Sequence, residues 1–400
     1  MNKGIRYIFF SSIYLLMATI FGVSYTWGLS GGMVLGVTAV IAIAVIRLQH
    51  SGVNKNKKKK LFAAVLSLLY FYSILTSGGV FLIQFIANIL YFVVAYSILV
   101  LTHDDMALLL KFISRITSVM FCISLIGWVL YLVGVPLPHT SEFVHEDDYH
   151  TYVNYYLFVT TPYDYLIVPR FMGVFKEPGH AASICVLLIL ANIKNLKSSK
   201  FDIIVFAISL IISFSLGGWI VMAFALLLMS LLEGKHRVLK LVGIALLSGF
   251  LIFEFYGNDD SALNQYIFSR LEYDDETGIA GNNRTSDYFD SKYDQFSKSS
   301  DVWFGISSKL QEGDDWTKGS AGVKVSIVHW GYIGFFIMQV VFILYFLNNR
   351  CRHGLIFLIS YMVLCYIRAY FINPYWFYIY LLAIPLLYKQ SKSKIIKTVV

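Results

Sequence analysis

The chain has 400 residues, of which 58% are hydrophobic and 14% are charged, with a formal net charge of +8. Soluble globular domains carry roughly 25% charged residues, so this composition excludes that class and indicates an integral membrane protein. The excess of basic residues lies at the ends of apolar segments, where it orients a membrane protein, and it does not indicate nucleic-acid binding.

Membrane-spanning helices are predicted along the whole chain. A hydrocarbon core about 30 Å thick needs roughly 20 apolar residues per helix, and lipid admits only helices or closed barrels. The apolar runs lack the period-2 alternation of barrel strands. The sequence therefore predicts an all-α, polytopic protein with about 12 transmembrane helices in one integral membrane domain, residues 1–400. The predicted helices lie near residues 5–22, 30–46, 61–76, 80–101, 112–135, 180–193, 201–216, 217–232, 238–253, 323–347, 354–372 and 374–388.

Loop charge predicts the orientation of these helices in the membrane. If the N-terminus is cytoplasmic, every inside segment is basic, as the positive-inside rule requires, and the C-terminus is cytoplasmic as well. The run Lys57 to Lys60 is then interpreted as an anchor on the anionic lipids of the inner leaflet rather than as a nucleic-acid patch. The acidic residues predicted on the inside are Asp104, Asp105, Asp202 and Glu233.

The first predicted extracytoplasmic loop spans residues 136–179. Its stretch His145-Glu146-Asp147-Asp148-Tyr149-His150 offers imidazole and carboxylate groups, which are common metal ligands. Because this spacing belongs to no defined element, a solvated acidic loop is favoured and no metal site is predicted.

The same loop ends in the stretch Arg170 to His180, R-F-M-G-V-F-K-E-P-G-H, directly before the apolar run 180–193. Charged groups at a membrane boundary are costly to bury, so cations, a carboxylate and an imidazole this close together predict a functional site. Pro178 favours the first turn of a helix. A helix is therefore predicted to start just after Glu177.

The second predicted extracytoplasmic loop, residues 254–322, lies between late helices. Phe289, Tyr293 and Phe296 follow the i, i+4, i+7 spacing of an amphipathic helix. The predicted N-cap of this helix is Asn283.

Arg284 follows that N-cap, where backbone N–H groups and a guanidinium can bind a phosphate together. At the helix that begins after Glu177, Arg170 and Lys176 lie in the approach that precedes the helix N-terminus. Two arginines at outward-facing helix N-termini predict a site for a doubly anionic group such as pyrophosphate.

Four short motifs resemble a known family. In their order, and in the long loop between late helices, they resemble the O-antigen polymerase and ligase superfamily over residues 165–340. The motifs are Arg170-x-x-Gly173-x-Phe175-x-Glu177-Pro178-Gly179, Asn283-Arg284-Thr285, Phe304-Gly305 and Gly331-x-x-Gly334.

This resemblance implies a GT-C-like membrane fold and an inverting glycosyltransferase that uses neither a metal nor another cofactor. Its substrates would be oligosaccharides linked to undecaprenyl pyrophosphate at the outer face of the bacterial inner (cytoplasmic) membrane. A polymerase of this type moves the growing glycan onto a new lipid-linked repeat unit of an O-antigen, capsule or exopolysaccharide. The implied protein partner is a chain-length regulator.

The residues of the predicted site suit this chemistry. Departure of a pyrophosphate needs fixed positive charge, for which Arg170, Lys176 and Arg284 are the predicted ligands. The attacking sugar hydroxyl needs a general base, and Glu177 and His180 are both candidates.

Two later residues are further candidate ligands for the glycan or the pyrophosphate. Arg368 lies in the apolar run 354–372, where a charge is expensive unless it faces a polar cavity. His329 lies two residues before Gly331. Ligases of the superfamily tend to carry a histidine farther upstream of the Gly-x-x-Gly motif, where this chain has Gly319-Ser320-Ala321-Gly322. The position of His329 therefore favours a polymerase over a ligase.

Two other functions are alternatives to a polymerase or ligase. A lipid-linked oligosaccharide flippase or other secondary transporter would also have many helices, but the two halves of the sequence show no repeat. A non-catalytic scaffold for polysaccharide export would not depend on Arg170 or Arg284.

Overall fold

The chain folds mostly into helices. A computed structural model describes residues 2–22, 24, 30–49, 57–75, 81–140, 142–144, 151–161, 168–196, 198–232, 273–274, 278–279, 286–307, 310, 315–318 and 320–399. The helices in these ranges are α1 (Lys3–Ala18), α2 (Gly31–Gln49), α3 (Lys57–Leu75), α4 (Phe81–Val100), α5 (His103–Leu132), α6 (Pro178–Asn192), α7 (Lys200–Ile212), α8 (Leu216–Leu232), α9 (Asp287–Ser297), α10 (Val323–Asn348), α11 (Arg352–Arg368) and α12 (Pro374–Val399).

The apolar runs predicted as helices coincide with helices wherever the structure describes them. The largest shifts are at the end of α12, which continues to Val399 rather than to residue 388, and at the start of α5. Helix α5 begins at His103 because Asp104 and Asp105 in its first turn stabilise the helix dipole. A turn at residues 213–215 separates α7 from α8. The predicted helix 238–253 lies outside the described residues.

Four helices in the described part of the chain are long and apolar enough to cross a membrane, by length and composition: α2, α4, α5 and α10. The other apolar helices are shorter or more charged. For example, α6, α7 and α8 have 15, 13 and 17 residues. The structure thus agrees with an apolar helical membrane protein, and the count of twelve spans stays a prediction.

The chain forms two compact units. Unit 1 contains Met1–Ile20, Trp27–Arg115 and Ser286–Val400, and unit 2 contains Phe21–Thr26 and Ile116–Thr285. Helix α5 therefore contributes its first part to unit 1 and its second part to unit 2.

Unit 1 has an aromatic core around α12, whose residues 375–387 are all buried. The ring of Tyr380 packs against Phe342 of α10 and Tyr361 of α11, with centroids 5.2 and 4.6 Å apart. The Tyr380 hydroxyl donates to the carbonyl oxygen of Phe342 at 2.7 Å. The buried phenol is thus satisfied, as burial of a polar group requires.

One end of unit 1 gathers helix ends that the loop charges assign to the cytoplasmic side. Asp105 at the start of α5 forms an ion pair with Arg6 of α1 at 2.9 Å, and it accepts a hydrogen bond from the Gln49 side chain of α2 at 2.9 Å. Lys389 of α12 forms an ion pair with Asp104 at 2.9 Å. These contacts bring the start of α1, the end of α2 and the start of α5 together.

Unit 2 is organised around α6. Every residue from 181 to 192 is buried, and both α7 and α8 contact this helix. The approach to α8 is close: a Cβ on Gly218 would lie 2.6 Å from the Cβ of Ala182. Because α6 is covered on all sides, its apolar residues need no amphipathic period.

The predicted loops contain short strands that the sequence did not predict. In unit 2, β1 (Phe143–Val144), β2 (Thr151–Asn154) and β3 (Val159–Thr160) form an antiparallel sheet in the order β1-β2-β3. Tyr152 of β2 is fully buried, so this part of the loop belongs to the core. The solvated acidic loop was predicted for residues 145–150, which lie outside the described residues. A further pair, β4 (Tyr273–Asp274) and β5 (Gly278–Ile279), forms a two-stranded sheet.

The predicted amphipathic helix of the second loop is confirmed as α9. Phe289 and Phe296 are buried in a cluster with Ile327 and Val328 of α10, and Tyr293 packs against it. Burial raises the pKa of the Tyr293 phenol above its ordinary value. The prediction of Asn283 as N-cap is wrong, because α9 begins at Asp287 and its N-cap lies three residues after Asn283.

The N-cap of α9 is Ser286. Its hydroxyl oxygen accepts a hydrogen bond from the N–H of Phe289 at 3.1 Å. Serine at this position satisfies one of the free N–H groups of the first turn.

Candidate functional site

The stretch Arg170 to His180 forms a tight turn in unit 2 that leads into the first residues of α6. Gly173 has a φ of +57°, a left-handed conformation that favours glycine, and a Cβ there would lie 3.2 Å from the Phe121 ring. Phe171 and Phe175 are fully buried on either side of it. Both rings pack edge-on against Phe121, with centroids 6.0 Å away. The aromatic residues of the motif therefore fix the turn in the core.

The backbone of this turn is hydrogen-bonded to two neighbouring elements. The Gly173 carbonyl oxygen accepts from the N–H of Val159 in β3 at 2.9 Å, and the N–H of Phe171 donates to the carbonyl oxygen of Ile212 in α7 at 3.2 Å. The turn is thus held from both sides before the chain enters α6.

Arg170 binds the C-terminal end of α7. Its Nε and Nη2 donate to the carbonyl oxygens of Ser213 and Phe214, at 3.3 and 2.9 Å. Carbonyls at the end of a helix lack intrahelical partners, and a basic side chain is well suited to bind them. Arg170 therefore has a structural role that the sequence did not predict, and its binding of pyrophosphate stays a prediction.

Three ionisable residues lie at the start of α6. Glu177 is the N-cap and Pro178 follows in the first turn, so the predicted start of this helix is confirmed. Lys176, Glu177 and His180 are each partly exposed, and the His180 ring packs edge-on against Phe175 at 6.3 Å. These groups lie at the N-terminus of a helix that is otherwise buried.

In unit 1, α10 is interrupted at Gly331, which has a φ of 62° and a ψ of 175°. Gly305, with a φ of +84°, lies directly against this break: a Cβ on Gly305 would lie 2.5 Å from the carbonyl oxygen of His329 and 2.7 Å from the nitrogen of Gly331. Two glycines permit this backbone crossing, which other residues would block. The motifs that contain Gly305 and Gly331 are therefore in contact.

Two carbonyl groups of α10 beside the break have partners outside the helix. The Val328 oxygen accepts from the N–H of Ile306 at 2.8 Å. The Tyr72 hydroxyl of α3 lies 2.9 Å from the Trp330 oxygen and 3.0 Å from the Phe304 oxygen, and it donates to this pair. The interruption of α10 is therefore a stable part of the fold, in which the carbonyl oxygens of Val328 and Trp330 are hydrogen-bonded.

His329 lies just before the break, with a partner at each ring nitrogen. Ser307 Oγ is 3.0 Å from Nδ1, and Thr317 Oγ1 is 3.3 Å from Nε2. The Thr317 hydroxyl donates to Asp315 at 2.6 Å, so its oxygen is left to accept from Nε2–H. The chain of bonds from Asp315 to His329 therefore assigns the tautomer in which Nδ1 accepts from Ser307.

No protein family, curated protein or solved structure matches this chain. The membership of the O-antigen polymerase and ligase superfamily accordingly stays a prediction that rests on the four short motifs. The contacts of those motifs are observations that do not depend on it.

The two remaining predicted ligands have different outcomes. Arg368 is the last residue of α11, followed by Ala369 in a left-handed conformation with a φ of 55°. Its side chain is partly exposed. Because the chain turns before α12, Arg368 lies at a helix end rather than deep within the apolar run 354–372. Arg284 lies outside the described residues, and its pairing with Arg170 stays a prediction.

Sequence reasoning missed several residues that build these sites. These residues belong to no recognisable motif, and only the fold brings them to their partners; they are Tyr72, Ser307, Asp315 and Thr317. The presence of Gly305 and Gly331 was one signal in the sequence, since an isolated glycine can mark a place where another segment of backbone approaches closely. Nothing in the sequence indicated that these two glycines approach each other.

Proposed function

We propose that the protein is a metal-independent glycosyltransferase with a twelve-span, GT-C-like fold. It transfers a glycan from undecaprenyl pyrophosphate onto a lipid-linked repeat unit at the outer face of the inner membrane, as a polymerase of O-antigen, capsule or exopolysaccharide. The observation that carries the proposal is the start of α6, where Lys176, Glu177 and His180 lie half-buried at the N-terminus of a helix that is otherwise buried.

The stem of Lys176 packs in unit 2: a Cβ on Gly22 would lie 3.2 Å from Lys176 Cγ and 3.4 Å from its backbone nitrogen. Its attachment is therefore fixed beside the first turn of α6. Positive charge that is fixed in advance is what stabilises a departing anion.

The transfer requires one bond to form and one to break. The acceptor hydroxyl oxygen attacks the anomeric carbon, and the bond from that carbon to the pyrophosphate oxygen breaks. Glu177 or His180 takes the hydroxyl proton. Lys176 and the N–H group of Gly179 in the first turn of α6 bind the departing undecaprenyl pyrophosphate.

The test is chain extension by the purified full-length protein in liposomes, with labelled undecaprenyl-pyrophosphate-linked repeat units and product length as the readout. We expect Lys176→Gln to reduce the rate about 100-fold or more, the usual contribution of fixed charge. We expect the same reduction from either Glu177→Gln or His180→Gln, whichever removes the general base. Lys298→Gln and Asp294→Asn change exposed residues of the same types and should keep the rate. Absence of extension by the unmodified protein with authentic repeat units would refute the proposal.

The break in α10 favours a second function, because discontinuous helices are typical of secondary transporters. In this chain the freed carbonyls of Val328 and Trp330 are bound by Ile306 and Tyr72, which suits a structural break better than an ion or substrate site. The liposome assay separates the two functions. A transporter would move labelled lipid to the opposite leaflet without lengthening it, and a ligase would transfer the glycan only when a lipid A core acceptor is added.

A further inference from the structure

A cavity of about 260 Å³ lies in unit 1 at the end where the predicted cytoplasmic segments meet. It shares no lining residue with either candidate site, and Asn348 in its wall lies 17 residues after Gly331 in α10. Its wall combines the ends of α3, α4, α5 and α10 with the middle of α12. Its lining includes Lys59, Phe62, His103, Tyr345, Asn348 and Tyr388.

The inner wall is apolar and fixed by a proline. Pro385 in α12 has no N–H to donate, which frees the carbonyl oxygen of Leu381. The Tyr345 hydroxyl donates to that oxygen at 2.6 Å, and its ring packs against Phe62 with centroids 4.5 Å apart. Both phenol and carbonyl are thereby satisfied, so this wall offers an aromatic surface.

The mouth is polar and basic. Lys59 Nζ donates to the carbonyl oxygen of Leu99 in the last turn of α4 at 2.8 Å, which holds the ammonium at the cavity wall. His103 begins α5 beside it. The nearby carboxylate of Asp104 is exposed and paired with Lys389 at 2.9 Å, so both signs of charge are present at the rim.

We propose that this cavity binds the phosphate headgroup of an anionic phospholipid of the inner leaflet. The ammonium, imidazole and amide groups at the mouth are donors that suit phosphate oxygens. The wall of Phe62 and Tyr345 suits the glycerol and the first methylene groups of the acyl chains. Basic pockets between helices on the cytoplasmic side of a membrane are places where anionic headgroups bind. This site does not depend on the proposed glycosyl transfer.

The test counts bound lipid on the purified full-length protein in detergent by native mass spectrometry. Phosphatidylglycerol is titrated against the unmodified protein, Lys59→Gln and the matched control Lys60→Gln, which removes the same charge from the neighbouring exposed position. Lys60→Gln should weaken binding by no more than about fivefold, the general attraction of one basic residue near an anionic surface. Lys59→Gln should weaken it about tenfold beyond that, because a charge-assisted hydrogen bond is also lost.

Four further measurements make the result decisive. Thermal unfolding without added lipid shows whether Lys59→Gln remains folded, and His103→Gln provides a second change at the mouth that leaves the bond from Lys59 to Leu99 in place. Phosphatidylcholine should bind far more weakly than phosphatidylglycerol. Equal effects of the Lys59 and Lys60 changes, together with no effect of His103→Gln, would overturn the site. Equally tight binding of inorganic phosphate alone would overturn the assignment to a lipid.

Discussion

Gly305 and Gly331 lie backbone against backbone, at the point where the chain that leaves α9 crosses the interruption in α10. Each has a positive φ, 84° and 62°, and a Cβ on either would come within 2.7 Å of main-chain atoms of the crossing segment. Main-chain atoms cannot swing aside as the tip of a side chain can. The crossing therefore depends on the absence of two β-carbons.

Replacing Gly331 by alanine should destabilise unit 1 strongly. The new Cβ would overlap the backbone at Gly305, and alanine would have to keep a left-handed conformation. We expect a loss of at least about 2 kcal/mol in the free energy of unfolding, from overpacking and backbone strain together. Denaturant titration in detergent measures it.

Gly36→Ala is the matched control for this change. Gly36 lies inside α2, and a Cβ there would meet nothing within 4 Å. Because alanine favours a helix over glycine, this variant should be unchanged or gain up to about 1 kcal/mol. Equal stabilities of the two variants would contradict the close crossing.

Removing one hydroxyl should test how the break in α10 is held. Tyr72→Phe keeps the ring but leaves the carbonyl oxygens of Phe304 and Trp330 without this donor. Losing such a partner costs about 1 to 3 kcal/mol. Tyr7→Phe, at a residue that is 52% exposed, should change the stability by less than about 0.5 kcal/mol. A Tyr72→Phe protein as stable as the Tyr7→Phe protein would show that these bonds contribute nothing.

Arg170 offers a way to separate folding from catalysis. Arg170→Met removes the donors to Ser213 and Phe214 while keeping an apolar stem, and we expect a loss of about 1.5 to 3 kcal/mol, as for hydrogen bonds from a charged group. Arg350→Met, at an exposed residue, serves as the control. The midpoint of unfolding reports the structural role directly. An Arg170→Met protein that unfolds like the control but no longer extends chains would assign Arg170 to the substrate instead.

The packing of α9 on α10 should depend on its aromatic residues rather than on its ion pair. Phe289 is fully buried, so Phe289→Ala should cost about 3 to 5 kcal/mol of that packing and expose α9 to limited proteolysis. The bond from Lys324 to Asp290 joins side chains that are 47% and 42% exposed, and Lys324→Ala should cost less than about 1 kcal/mol. Faster cleavage in the lysine variant than in the phenylalanine variant would reverse this ranking.

Hydrophobicity alone predicted most of the helices, because an apolar run can satisfy its backbone only within itself. It failed where polar residues begin a helix, as His103, Asp104 and Asp105 do in α5. It also failed for β1 to β3, since strands of two to four residues are too short to show an alternating pattern.

The candidate sites were predictable only where the signal is local. Glu177 and Pro178 marked the start of α6 correctly, because capping preferences act within one turn. The partners of Arg170 are backbone carbonyls 43 and 44 residues away, and a carbonyl carries no trace in the side-chain sequence. The same holds for Tyr72, whose acceptors lie more than 200 positions along the chain.

Helix α6 is enclosed partly by α7 and α8, which follow it in the chain. During synthesis it must leave the ribosome before these two neighbours exist. If α6 enters the membrane, as the apolar run 180–193 predicts, lipid tails solvate it there until the later helices arrive. Closing unit 2 would then expel acyl chains from the surface of α6, and bilayer composition during biogenesis would bear directly on how this core assembles.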